Sequence, residues 1–176
     1  TTNVVSMLQV LSYSRQYDAI ITNITTANSI SSSLKPDIDN EMWKIVSGKI
    51  KFSEGRQYEI LDNVNSKVCG MMDNTDSKRA QVKLDLVLRT LQSLREYVDL
   101  MGDKISNNST AAENEAVLED IRFATSVMEE VVQNYVLYEV NRTDGQYQAM
   151  REGYVRWQIF SIILIFSAVG FSVVAA

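Results

Sequence analysis

Ala80-Gln81-Val82-Lys83-Leu84-Asp85-Leu86-Val87-Leu88-Arg89-Thr90-Leu91-Gln92-Ser93-Leu94-Arg95-Glu96-Tyr97-Val98-Asp99-Leu100-Met101 is the stretch on which the fold turns. Ala80, Leu84, Val87, Leu91, Leu94, Val98 and Met101 recur in alternating steps of four and three through three heptads, so they line one stripe of a helix that ends near Gly102 and Asn107-Asn108. Such a stripe needs other helices to cover it, and the rest of the chain supplies them.

Downstream, Thr110-Ala111-Ala112-Glu113 is a capping box, in which the Thr hydroxyl and a Glu three residues later satisfy each other's backbone donors at a helix start. Val117, Ile121, Ala124, Met128, Val131, Tyr135 and Tyr138 repeat the four-three alternation, but its next members would be Arg142 and Gly145. A second series, Val136, Val140, Thr143, Tyr147, Met150, Tyr154 and Trp157, takes over, which predicts a rotation of the stripe between Tyr138 and Val140.

Upstream, Asp73-Asn74-Thr75-Asp76 reads as a turn, preceded by the seam Leu61, Val64, Val68 and Met71. A short segment running from Pro36 to about Val46 and carrying Met42, Trp43 and Ile45 opens the second arm, which the glycine-bounded loop Gly48-Lys49-Ile50-Lys51-Phe52-Ser53-Glu54-Gly55 divides from that seam. In the first arm Tyr13, Tyr17, Ile20, Ile24, Ala27, Ile30 and Leu34 share a face, with Asn23, Thr25, Asn28 and Ser31 directed elsewhere. Pro36 is expected to end that helix, because the residue before a proline is pushed out of the helical region. Four seams joined by short connections predict an all-α, antiparallel up-down-up-down four-helix bundle.

The fourth helix leads into 159–176, eighteen residues without a charge, which span roughly 27 Å as a helix, close to the hydrocarbon core of a bilayer. Tyr154, Arg156 and Trp157 precede it, side chains suited to a membrane interface. The expectation is a helix that leaves the bundle and crosses the membrane over 155–176, with the bundle occupying 1–154. Four antiparallel helices bring the N-terminus to the same membrane surface, so a preceding transmembrane helix and further sequence beyond 176 are also expected. Within the span, Ala168, Ser172 and Ala176 keep the small-residue spacing that permits close helix approach.

Composition narrows function by exclusion. Across 176 residues the net charge is −5, with acidic and basic groups interleaved, which leaves no footprint for nucleic acid. There is no histidine, so a histidine-based catalytic triad, a His-ligated metal site and a phospho-accepting imidazole are all excluded from this stretch. No catalytic residue, cofactor or metal ligand is assigned. The single cysteine, Cys69, is read as a small buried residue. The acidic pairs Glu113/Glu115 and Glu129/Glu130 are read as solvated surface, since adjacent helical residues point apart.

Thr25-Thr26-Ala27-Asn28, Asp39-Asn40-Glu41-Met42-Trp43-Lys44-Ile45-Val46-Ser47-Gly48, Tyr97-Val98-Asp99-Leu100-Met101-Gly102, Glu113-Asn114-Glu115 and Arg156-Trp157 before the span resemble the extracytoplasmic regions of membrane-bound sensor histidine kinases of Gram-positive bacteria. The resemblance covers most of the chain. It implies a homodimer in the cell membrane with its bundle outside the cytoplasm, sensing a ligand, a partner protein or envelope stress, and continuing into a HAMP linker and a kinase domain. A chemoreceptor sensory domain has the same layout, and a tail-anchored trafficking or fusion protein is the alternative of a different class.

Two groups are candidates for ligand binding. Trp43, Phe52, Arg56 and Tyr58 surround the glycine-bounded loop, and Tyr135 and Tyr138 stand on the fourth seam with Arg122 on the same helix. Signal is expected to leave through Tyr138, Val140, Arg142, Tyr154, Arg156 and Trp157, and the additional apolar residues Val4, Val5, Leu8 and Leu11 are expected to face a second copy.

Overall fold

The computed structural model describes the backbone of residues 2–174 and the side chains of residues 11–145 and of Arg151. The chain forms four helices, α1 (Thr2–Val46), α2 (Gln57–Asp73), α3 (Lys78–Ser106) and α4 (Ala111–Val174), with one 3-10 turn at Phe52–Glu54 and no strand among the described residues. It divides into a bundle unit, residues 1–139, and a second unit, residues 140–176, which is helical through Val174.

Antiparallel packing follows from the pairs that join neighbouring helices. Along α2, Tyr58 and Asp62 meet Asp99 and then Arg95 of α3. Along α1, Ser31, Lys35 and Asp39 meet Gln133, Glu129 and Arg122 of α4 in that order. Between them runs a continuous core in which all seven seam residues of α3 and all four of α2 are buried.

Pro36 does not end the first helix, and the segment behind it belongs to α1 rather than to the second arm. Helix-interior proline costs about 3 kcal/mol. Beyond it, however, Ile38, Met42 and Ile45 continue the stripe of Ile30 and Leu34 into the core. At roughly 1.5–3 kcal/mol for each buried side chain, that burial outweighs the lost hydrogen bond. Instead α1 stops at Gly48, whose positive φ of 72° suits a residue without Cβ. There the Lys49 N–H reaches back to the Lys44 carbonyl at 2.9 Å.

Other starts and stops match local chemistry. Ser77 caps α3 by accepting the Ala80 N–H at 3.3 Å. At α4 the expected capping box is present, with the Thr110 N–H donating to Glu113 at 2.8 Å and the Glu113 N–H donating to Thr110 Oγ1 at 3.3 Å.

Several side chains depart from expectation. Tyr13 and Tyr17 are exposed, because the shorter α2 and α3 do not extend along that part of α1. Asn23 is buried instead of facing outward: its amide donates to the Met71 carbonyl at 3.0 Å and accepts from Asn74 at 3.2 Å, tying α1 to the end of α2. Cys69 is exposed, lying one position beyond the buried Val68. On α4 the buried series passes from Met128 to Val132, Tyr135, Val136 and Glu139, leaving Val131 at the margin. The stripe therefore turns between Met128 and Val132, earlier than expected, because one four-residue step where three was due rotates it.

Among the described residues no helix is long and apolar enough to cross a membrane. The transmembrane assignment at 155–176, its small-residue spacing, the side chains of Tyr154, Arg156 and Trp157, and those of Val4, Val5 and Leu8 lie outside the residues whose side chains are described.

Candidate functional site

A groove of about 720 Å³ lies between α1 and α4 beside Pro36. Its floor is apolar, formed by Ile38 and Ile121, with Thr125, whose buried hydroxyl donates to the Ile121 carbonyl at 2.6 Å. The walls are ionic. Arg122 donates from Nε to Asp39 of α1 and from Nη1 to Glu119 of its own helix, and these two carboxylates hold the guanidinium more firmly protonated than usual, Asp39 first. One turn earlier on α1, Lys35 faces Glu129 at 3.9 Å. Phe123 stands at the rim and is 70% exposed. The bridges are partly solvated, so each contributes only about 0–1 kcal/mol, and exchanging their partners is inexpensive.

The glycine-bounded loop is closed by packing. Phe52 rests on Gly102 of α3 and meets the Tyr58 ring edge-on, with centroids 6.1 Å apart. Tyr58 in turn donates to Asp99 at 2.5 Å and lies under the Arg95 guanidinium at 5.6 Å. Burial, then the bond to Asp99, pushes its hydroxyl up to about 12. Gln57 is buried beneath the loop, where it donates to the Phe52 carbonyl at 2.8 Å, and its Oε1 occupies the space that a Cβ on Gly55 would need. Glu41 of α1 completes the closure. It is buried, accepts the Arg56 N–H at 2.8 Å and receives Lys44 at 3.1 Å.

Of the first candidate group, then, Phe52 and Tyr58 touch each other. Trp43 is half-exposed on α1, and the Arg56 side chain extends along the surface to Glu59. In the second group Tyr135 is fully buried, and the Tyr138 hydroxyl is 2.9 Å from Ser77 Oγ at the start of α3, with Lys83 over its ring at 5.6 Å. Arg122 is directed away from both tyrosines; thirteen residues of helix separate it from Tyr135, roughly 20 Å. Val140 is exposed and Arg142 partly buried.

Glu119 and Phe123 escaped the sequence reading, and Asp39 entered it only within the stretch to Gly48 that carries the resemblance, although Phe123, a large apolar residue off the seam, was a visible signal. Glu139 also escaped it: this fully buried carboxylate follows Tyr135 by one turn at the end of the bundle unit. No group of residues suited to hold a metal ion occurs among the described residues.

No family model and no curated protein matches this sequence. In three dimensions the chain is similar to a solved periplasmic sensor domain of a sensor histidine kinase, with a TM-score of 0.66 over 79% of this chain and 95% of that one, at 8% sequence identity. The likeness is one of fold: an all-helical bundle.

Proposed function

We propose that this chain is the extracytoplasmic sensing and signal-transmitting module of a membrane-bound sensor histidine kinase. The observation that carries the proposal is the match along 95% of a periplasmic sensor domain. It is supported by the continuation of α4 from the bundle unit toward the apolar run at 159–176, which we assign as a transmembrane helix. With no histidine in the sequence, phosphoryl transfer belongs to a separate catalytic region, joined through a HAMP-type linker, and this module is itself non-catalytic. The module works as a homodimer paired along the N-terminal part of α1, where Leu11, Tyr13 and Tyr17 are exposed.

Transmission is tested in the full-length receptor. One residue inserted near Arg142 rotates everything downstream by ~100° and should lock output high or low, whereas seven residues nearly restore phase and should be tolerated. Unchanged signalling in both variants removes α4 as the transmitting element. The exposed Cys69 tests placement: a membrane-impermeant maleimide should label it in intact cells. Labelling only after lysis would place the bundle in the cytoplasm and favour the tail-anchored alternative.

A further inference from the structure

The groove beside Pro36 combines an apolar floor, an exposed aromatic rim at Phe123 and two opposite charges in hydrogen-bond contact, Arg122 and Asp39. An α-amino acid carries its ammonium and carboxylate roughly 3 Å apart from covalent geometry alone, the separation of a hydrogen-bonded ion pair. Such a molecule can enter the bridge without leaving a charge unpaired. Its carboxylate takes the planar fork of Arg122, and its ammonium takes Asp39 and Glu119. A simple anion would engage only Arg122, and a simple cation only Asp39 and Glu119, so each makes about half of the charge-assisted contacts that a zwitterion makes. An apolar ligand side chain would then cover Phe123 and the Pro36 ring.

We infer that this groove binds a small zwitterion, a free α-amino acid with an apolar or aromatic side chain. The inference rests on the sensing role proposed above and names the ligand class for it. Because Asp39–Arg122 joins α1 to α4 alongside Ser31–Gln133 and Lys35–Glu129, a ligand seated in that bridge changes how α4 is held.

Calorimetric titration of the whole chain in detergent micelles tests the assignment, with L-phenylalanine and L-leucine as probes. Phenylacetate, phenethylamine and N-acetyl-L-phenylalanine amide serve as controls lacking one or both charges. At least one zwitterion should bind saturably, each control roughly tenfold or more weakly. Arg122→Gln and Phe123→Ala should each weaken binding about tenfold while keeping the helical circular dichroism and melting temperature, and Arg95→Gln, on the α2–α3 face, should leave it unchanged. Absence of saturable binding by either zwitterion, phenylacetate binding as tightly as phenylalanine, or full affinity in both groove variants would overturn the inference. A receptor that fails here, yet is locked by the one-residue insertion and tolerates the seven-residue one, keeps its transmitting role and loses only this site.

Discussion

The Phe52 ring lies against the backbone of Gly102 so closely that a Cβ at position 102 would be 2.6 Å from ring atom Cε1. This contact anchors the α1–α2 connection to α3 and explains why a glycine stands inside an otherwise strong helix. Alanine there gains up to about 1 kcal/mol of helix propensity but forces the ring to move, at about 1–3 kcal/mol. Gly102→Ala should therefore lower the melting temperature, whereas Gly70→Ala, with open space around it in α2, should raise stability by about 0.5–1 kcal/mol. A stabilised Gly102→Ala would show that the ring is not seated there, and Phe52→Leu should relieve the penalty in the double variant.

Pro36 stands inside α1 with the helix intact on both sides. Pro36→Ala restores an N–H donor and should stabilise the bundle by about 1–3 kcal/mol in chemical denaturation. Destabilisation would mean that the chain turns at this position. In the receptor the same variant reshapes one wall of the groove, so ligand response should fall although stability rises.

The α3 seam makes a sharp comparison. Leu91 is buried, and Leu91→Ala should cost about 2–5 kcal/mol through the cavity it leaves, while the exposed Ser93→Ala should stay within about 0.5 kcal/mol. Equal midpoints in urea would refute the assigned core.

Acid should loosen the loop end of the bundle through Glu41. Its carboxyl is held below the ordinary 4.5, first by the Arg56 N–H and, against the opposing effect of burial, also by Lys44. A depressed carboxylate stabilises the fold above its unfolded value and loses that contribution as the pH falls through 4.5 toward the folded value. Glu41→Gln should therefore be destabilised at pH 7, and the gap to wild type should narrow below about pH 4. A gap independent of pH would mean that the carboxylate's charge contributes nothing there.

The periodicity of Ala80 to Met101, the capping box at Thr110 and Glu113 and the turn residues from Asp73 to Asp76 are local signals, set by spacing within one or two turns. They determined the all-helical bundle and most of its core. Where a residue's environment depends on a neighbouring helix, the sequence was silent or misleading. Pro36 carries a local preference for ending a helix, which the burial of Ile38, Met42 and Ile45 overrides. Asn23 looks like a surface residue until the end of α2 brings the Met71 carbonyl and Asn74 to it. Tyr13 and Tyr17 fit the α1 stripe, yet no part of α2 or α3 is long enough to cover them. The groove beside Pro36 is the extreme case, since Asp39 and Arg122 are separated by 83 positions and meet only because α1 and α4 run antiparallel side by side. Helix formation is a near-neighbour property that periodicity records, whereas charge pairing, burial of polar groups and groove shape arise from residues far apart in the chain, and only the packed tertiary structure decided them.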